Sequence, residues 1–128
     1  MYNTVIAERF QNLQYAGIVT NADAVGQAGS VGSGDLIKIY LRISDGVITE
    51  AKFKTFGTVY TLVASDIVCE LLKNCSIEKA LLIKDNDINK ALGGLPENKL
   101  YLTDLAQTVI TDTINDYYKK LAKAKQKK

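Results

Sequence analysis

The chain predicts an α+β domain in which a small antiparallel sheet carries helices packed on it. Three observations lead there. Period-two alternation of apolar and polar residues is confined to the first half, and helix-period runs fill the second. The third is size: 128 residues with 47% hydrophobic content match one ordinary core, which needs neither disulfide nor metal to fold.

Val5, Ile6, Phe10 and Leu13 recur at helical spacing, predicting a short amphipathic helix over 4–13 that should lie on the sheet. Residues 17–34 hold five of the nine glycines with many Ala, Ser and Asn, which reads as a strand fragment and then a long flexible loop. Ile37, Ile39, Leu41 and Ile43 alternate with Lys38, Tyr40 and Arg42, the signature of a strand with one buried face. Ser44-Asp45-Gly46 supplies a turn. The run 47–56 then alternates Val47, Thr49, Ala51 and Phe53 against Ile48, Glu50, Lys52 and Lys54, which closes a hairpin.

After Gly57 the period changes. Val59, Leu62, Val63, Ile67, Leu71 and Leu72 predict a helix of about four or five turns ending near Asn74. Ser76 should cap a short helix over 77–83, and Asp87 should cap another that Gly93 and Gly94 stop. The last helix carries Leu102, Leu105, Ala106, Val109, Ile110, Ile114, Tyr117 and Leu121 on one stripe, with Asp104, Gln107, Thr111, Asp112, Asn115 and Asp116 mostly opposite.

Residues 1–118 are expected to form the domain and 119–128 a basic tail. Six of the sixteen basic residues are Lys119, Lys120, Lys123, Lys125, Lys127 and Lys128. Without them ten basic side chains face fourteen acidic ones, so the formal +2 hides a body of net charge −4. No arginine–aromatic pattern accompanies the lysines, and no nucleic-acid partner is expected. No stretch approaches the ~20 apolar residues of a membrane span, and the start Met1-Tyr2-Asn3-Thr4 lacks signal-peptide regions, so a cytoplasmic protein without a membrane partner is expected.

Histidine is absent, which removes the usual general base, a common metal ligand and the partner of Ser–His and Cys–His nucleophiles. No enzyme is expected. The glycine loop 26–34 leads into a strand rather than a helix N-terminus and lacks Gly-Lys-Ser/Thr, which argues against a phosphate cradle. Asp85-Asn86-Asp87 opens like a calcium loop, yet Lys90 stands where glycine is needed and Pro96 where a bidentate glutamate belongs. Cys69 and Cys75, six positions apart on or near one helix, diverge by about 120° and form no metal or redox pattern. They read as reduced thiols.

Four segments carry a family resemblance that runs over most of the chain. Gly29-Ser30-Val31-Gly32-Ser33-Gly34-Asp35 resembles Gly-x-x-x-Cys-Gly-Asp; Phe53-Lys54-Thr55-Phe56-Gly57-Thr58 resembles Phe-Lys-Thr-(Tyr/Phe)-Gly-Cys; and Lys99-Leu100-Tyr101-Leu102 resembles Lys-x-His-Cys. Residues 76–88 follow Ser-x-x-x-Ala-x-x-Ile-Lys-x-x-Asp-Ile. Together these resemble the NifU/IscU-type iron–sulfur cluster assembly scaffolds, as a divergent member lacking the three ligand cysteines. The resemblance places Ser33, Thr58 and Leu102 at the cysteine positions, Tyr101 at the histidine and Asp35 at the retained aspartate.

Other segments depart from the family. Asn12-Leu13-Gln14-Tyr15 stands for Asn-Pro-Arg-Asn, Leu95-Pro96-Glu97-Asn98-Lys99 for the chaperone-engaging Leu-Pro-Pro-Val-Lys, and Val59 and Tyr60 for small residues. The resemblance implies a scaffold that takes sulfur from a cysteine desulfurase and builds a cluster for apoproteins. Because thiolate is the soft donor that iron–sulfur clusters need, the residues here predict a relative that does not hold one and acts as a binding or accessory module. Its implied partners are a cysteine desulfurase or a cysteine-bearing scaffold paralogue. No cofactor is expected, and an iron–sulfur cluster or zinc enters only through the resemblance. The alternative is an oxygen-lined pocket of Ser33, Asp35, Thr58 and Tyr101 that takes a hard metal ion or a small polar ligand.

Overall fold

A computed structural model describes residues 2–126. The chain runs α1 (Thr4–Gln11), β1 (Ala24–Ser30), a 3-10 turn (Val31–Ser33), β2 (Asp35–Ser44), β3 (Val47–Phe56), α2 (Val59–Leu72), α3 (Ile77–Ala80), α4 (Asp85–Ala91), a second 3-10 turn (Glu97–Lys99) and α5 (Tyr101–Gln126). The three strands form one antiparallel sheet in the order β1-β2-β3. Helices α2 and α5 cover a single face of it, α2 toward β3 and α5 toward β1. Between them they bury Ile37, Ile39, Leu41, Ile48, Phe53, Val63, Ile67, Val109 and Ile110 in one core.

The β2–β3 hairpin closes through Asp45 and Gly46, whose φ values of 51° and 74° suit the type I′ loop that matches strand twist. The face assignment of β3 differs from the simple alternation. A register shift between Arg42 and Ile43 pairs Arg42 with Glu50 and Ile43 with Ile48, leaving Thr49 as the extra residue of a bulge. Ile48 therefore turns inward with Ala51 and Phe53, and Thr49 faces out.

Residues 17–34 are more ordered than their composition predicts. Ala24–Ser30 is a full strand paired along its length with β2, and only the 3-10 turn Val31–Ser33 and Gly34 separate the two. The small residues serve packing: a Cβ on Gly26 would stand 2.6 Å from the Cα and N of Thr113, so α5 approaches β1 closely because glycine is there. Helix α1 is also displaced from its expected place. It packs on α2 rather than on the sheet, where Arg9 donates to the buried Asp66 at 2.8 Å. Asp66 in turn accepts the N–H groups of Gln14 and Tyr15, which fixes the chain as it leaves α1.

Ser76 caps α3 as expected, accepting the N–H of Lys79. Asp87 is not the cap of α4 but its third residue, where its carboxylate accepts the N–H of Lys84 before the helix. Lys119, Lys120, Lys123 and Lys125 ride on the last turns of α5, while Lys127 and Lys128 lie outside the described residues. No described helix is long and apolar enough to cross a membrane.

Candidate functional site

Three of the four segments singled out by the sequence, 29–35, 53–58 and 99–102, meet at one end of the sheet around Asp35, while Ser76 at the start of the fourth pairs with Val47 at the hairpin end. Asp35 opens β2 opposite Ser30, directly after Gly34, whose φ of 95° turns the chain out of the 3-10 turn. Its side chain is 7% exposed and accepts two short hydrogen bonds. The Thr61 hydroxyl donates to Oδ1 and the Tyr101 hydroxyl to Oδ2, each at 2.6 Å. One carboxylate thereby joins β2, α2 and α5. Both partners are far from Asp35 in the chain, 26 and 66 positions away.

Thr61 holds this position by working in both directions. Its Oγ1 accepts the N–H of Thr58 at 3.1 Å while its proton goes to Asp35. Thr58 occupies the N-cap of α2, its hydroxyl lies 3.4 Å from that of Thr61, and the Thr61 side chain returns a bond to the Thr58 N–H. Gly57 makes room for this meeting. A Cβ there would lie 2.7 Å from Cβ of Thr61 and 2.9 Å from Oδ1 of Asp35.

Ser33 is exposed and turned back on its own loop: its hydroxyl donates to the carbonyl of Ser30 at 2.9 Å, and its N–H donates to the Ser30 hydroxyl oxygen at 3.1 Å. Leu102 is fully buried and begins the apolar stripe of α5, as its spacing predicts. Tyr101, one residue earlier, is 46% exposed along its ring while its hydroxyl reaches inward. The bond to Asp35 pushes the phenol pKa up, and burial and the nearby carboxylate charge act in the same sense. Tyr60 packs edge-on against Tyr2 with ring centroids 5.0 Å apart, and the Lys99 ammonium lies 5.8 Å from the Tyr60 centroid.

The donor set at this end consists of neutral hydroxyls on Ser33, Thr58, Thr61 and Tyr101, one carboxylate with both oxygens engaged, and hydrocarbon at Leu102. Among the described residues, no three His, Cys, Asp or Glu side chains come together as a metal-holding group. Cys69 is fully buried, and burial together with the Asp66 charge pushes its thiol well above the ordinary range. Cys75 donates its thiol to the carbonyl of Leu71. Both are free thiols. A groove of about 320 Å³ runs between α4 and the start of α5, with Asp85, Asn89, Tyr101 and Asp104 among its walls. Thr61 is the site residue that sequence reasoning missed, and its only signal was the Thr58-Val59-Tyr60-Thr61 spacing of a reversed capping pair.

Comparison with known proteins gives a consistent result. The family model described as "NifU-like N terminal domain" matches residues 1–124. "Iron-sulfur cluster assembly scaffold protein IscU 1" of Archaeoglobus fulgidus is 37% identical over 123 residues, covering 96% of this chain and 80% of that protein. "Iron-sulfur cluster assembly scaffold protein IscU" of Aquifex aeolicus is 31% identical over 127 residues, covering 98% and 81%. Among solved structures, a NifU-like protein (N-terminal) from Brucella abortus superposes with a TM-score of 0.71 at 19% identity, covering 92% of this chain and 94% of that one, which establishes the shared fold. With its sheet, its helical layer and its sequence all matching, this chain belongs to the NifU-like N-terminal domain family, related to the iron–sulfur cluster assembly scaffolds.

Proposed function

We propose that this protein is an accessory member of the iron–sulfur assembly family: it keeps the scaffold fold and presents its surface to a partner of the pathway, without ligating a cluster itself. The observation that carries the reading is the donor set. Positions that resemble the three cysteine ligands hold Ser33, Thr58 and Leu102, and Leu102 offers no donor atom and lies in the core. Alcohols are poor ligands for iron beside thiolate, because they stay protonated near neutral pH and donate weakly.

The partner is a cysteine desulfurase or a cysteine-bearing scaffold paralogue. The end of the domain that carries Ser33, Gly57 and Tyr101 is the surface offered to it. The chain immobilised at low salt should retain a purified cysteine desulfurase of the same pathway, or a purified cysteine-bearing scaffold. Passage of both without retention would remove the accessory role.

An oxygen-lined pocket for a hard metal ion draws no support from the geometry. Among Ser33, Asp35, Thr58 and Tyr101, Asp35 alone is a carboxylate, and both of its oxygens already accept hydroxyl protons. Hard cations recruit several free oxygens at once.

A further inference from the structure

Three lost cysteines explain an absent ligand set but not the state of Asp35, the acidic residue that the resemblance retains. We propose that Thr61 and Tyr101 are further determinants of this site. They convert Asp35 from an available ligand into a hydrogen-bonded cross-link, so the site would resist a metal even with thiolates restored. The inference rests on the reading that the native chain does not ligate a cluster, and it names the residues that enforce this beyond the cysteine positions.

The geometry gives each residue a defined part. Thr61 sits on the first turn of α2 and is fully buried, so its hydroxyl cannot turn to water; its proton goes to Oδ1 of Asp35 at 2.6 Å. Its oxygen is oriented by the Thr58 N–H, which favours donation toward the carboxylate. Tyr101 closes the other oxygen at the same distance from the opposite side. Hydrogen bonds to an ionised group are among the strongest in proteins, and a metal claiming either oxygen must break one. Gly57 marks the tightness of the assembly, because a single added methyl would collide with both Thr61 and Asp35.

The two hydrogen bonds to Asp35 also tie together the three segments that carry the ligand-position motifs. The 3-10 turn and β2 are held through Asp35, the start of α2 through Thr61, and the start of α5 through Tyr101. A bound metal would cross-link the same segments. Hydroxyl–carboxylate bonding supplies that cross-link here with light elements alone.

The test compares two versions of a thiolate-restored site, with Zn²⁺ as the probe and a chromophoric chelator as competitor under reducing, anaerobic conditions. The first is S33C/T58C/L102C; the second adds T61V and Y101F. Because L102C opens the core, the same comparison is run on S33C/T58C, which leaves Leu102 in place, and melting curves confirm that each variant is folded. The variants lacking the two hydroxyls should bind Zn²⁺ at least about tenfold tighter, since each hydrogen bond to a charged group is worth about that factor. Replacing T61V by the hydroxyl-bearing T61S should cancel the Thr61 part of the gain. Equal affinity with and without the hydroxyls, or binding by neither, overturns the proposal. Cluster uptake by the unaltered chain is a separate outcome, which would sink the functional reading while leaving the affinity comparison to judge Thr61 and Tyr101.

Discussion

Thr61 and Asp35 carry more of the site than the residues that first draw notice. Asp35 is buried and keeps its charge company with two hydroxyl protons, so removing either donor leaves a carboxylate oxygen short of a partner. Thr61→Val keeps the shape and loses the bond; it should cost about 1–3 kcal/mol, read as a lower midpoint in urea with an unchanged slope. Tyr101→Phe has a pH signature. The folded state raises the Tyr101 pKa above its ordinary 10.0, so its contribution is complete below that value and is lost as pH rises through the folded value. The native chain should lose stability above pH 10 more steeply than Tyr101→Phe, and matching alkaline profiles would contradict the hydrogen bond. The sequence made Ser33, Asp35, Thr58, Tyr101 and Leu102 visible through motif spacing, and local patterning placed Leu102 in the core. It could not reveal the Tyr101–Asp35 bond, because residues 66 positions apart meet only through the fold.

At the level of elements, the contact between α5 and β1 organises the domain. Two carboxylates of α5 reach around the edge strand: Asp116 accepts the N–H of Val25 and Asp112 that of Gln27, one helical turn matched to two strand residues. This leaves fewer free donors on an edge that could otherwise pair with another chain. Burial works against the Asp116 charge, but the Lys120 ammonium and the Val25 N–H outweigh it and hold the carboxyl below its usual range. A depressed carboxylate pKa gives stability that is present at neutral pH and fades as acid protonates it. The double variant D112A/D116A should therefore expose the β1 edge and increase self-association at high concentration, measured by sedimentation. Gly26→Ala should destabilise by about 1–3 kcal/mol, because its methyl meets the backbone of α5 at Thr113. Periodicity showed the apolar stripe of α5 and the β2–β3 hairpin. It read 17–34 as only a strand fragment and a loop because Gly26, Ala28 and Gly29 have too little side chain to display a pattern, and it mis-faced Val47 and Thr49 because one bulge residue inverts a period of two.

Over the whole molecule, one helical layer on one sheet face leaves a domain whose charges are unevenly divided. Lys119, Lys120, Lys123 and Lys125 lie on exposed helix outside the core cluster of the described residues, whereas the body is acidic. We propose that 119–128 is a separable tail; a chain ending at Tyr118 should melt within a few degrees of the full protein, and a loss well beyond that would assign the tail to the fold. The fold class was legible in the order of strand and helix periods, whereas the seat of α1 on α2 was not, since it depends on the buried Arg9–Asp66 pair. The central claim is that a scaffold fold persists here without the ability to hold the family's cargo, and anaerobic incubation of the native chain with ferrous iron and sulfide tests it most directly. After desalting, the account predicts a colourless protein with no visible charge-transfer absorption and no retained iron; a stable brown protein with stoichiometric iron would contradict it.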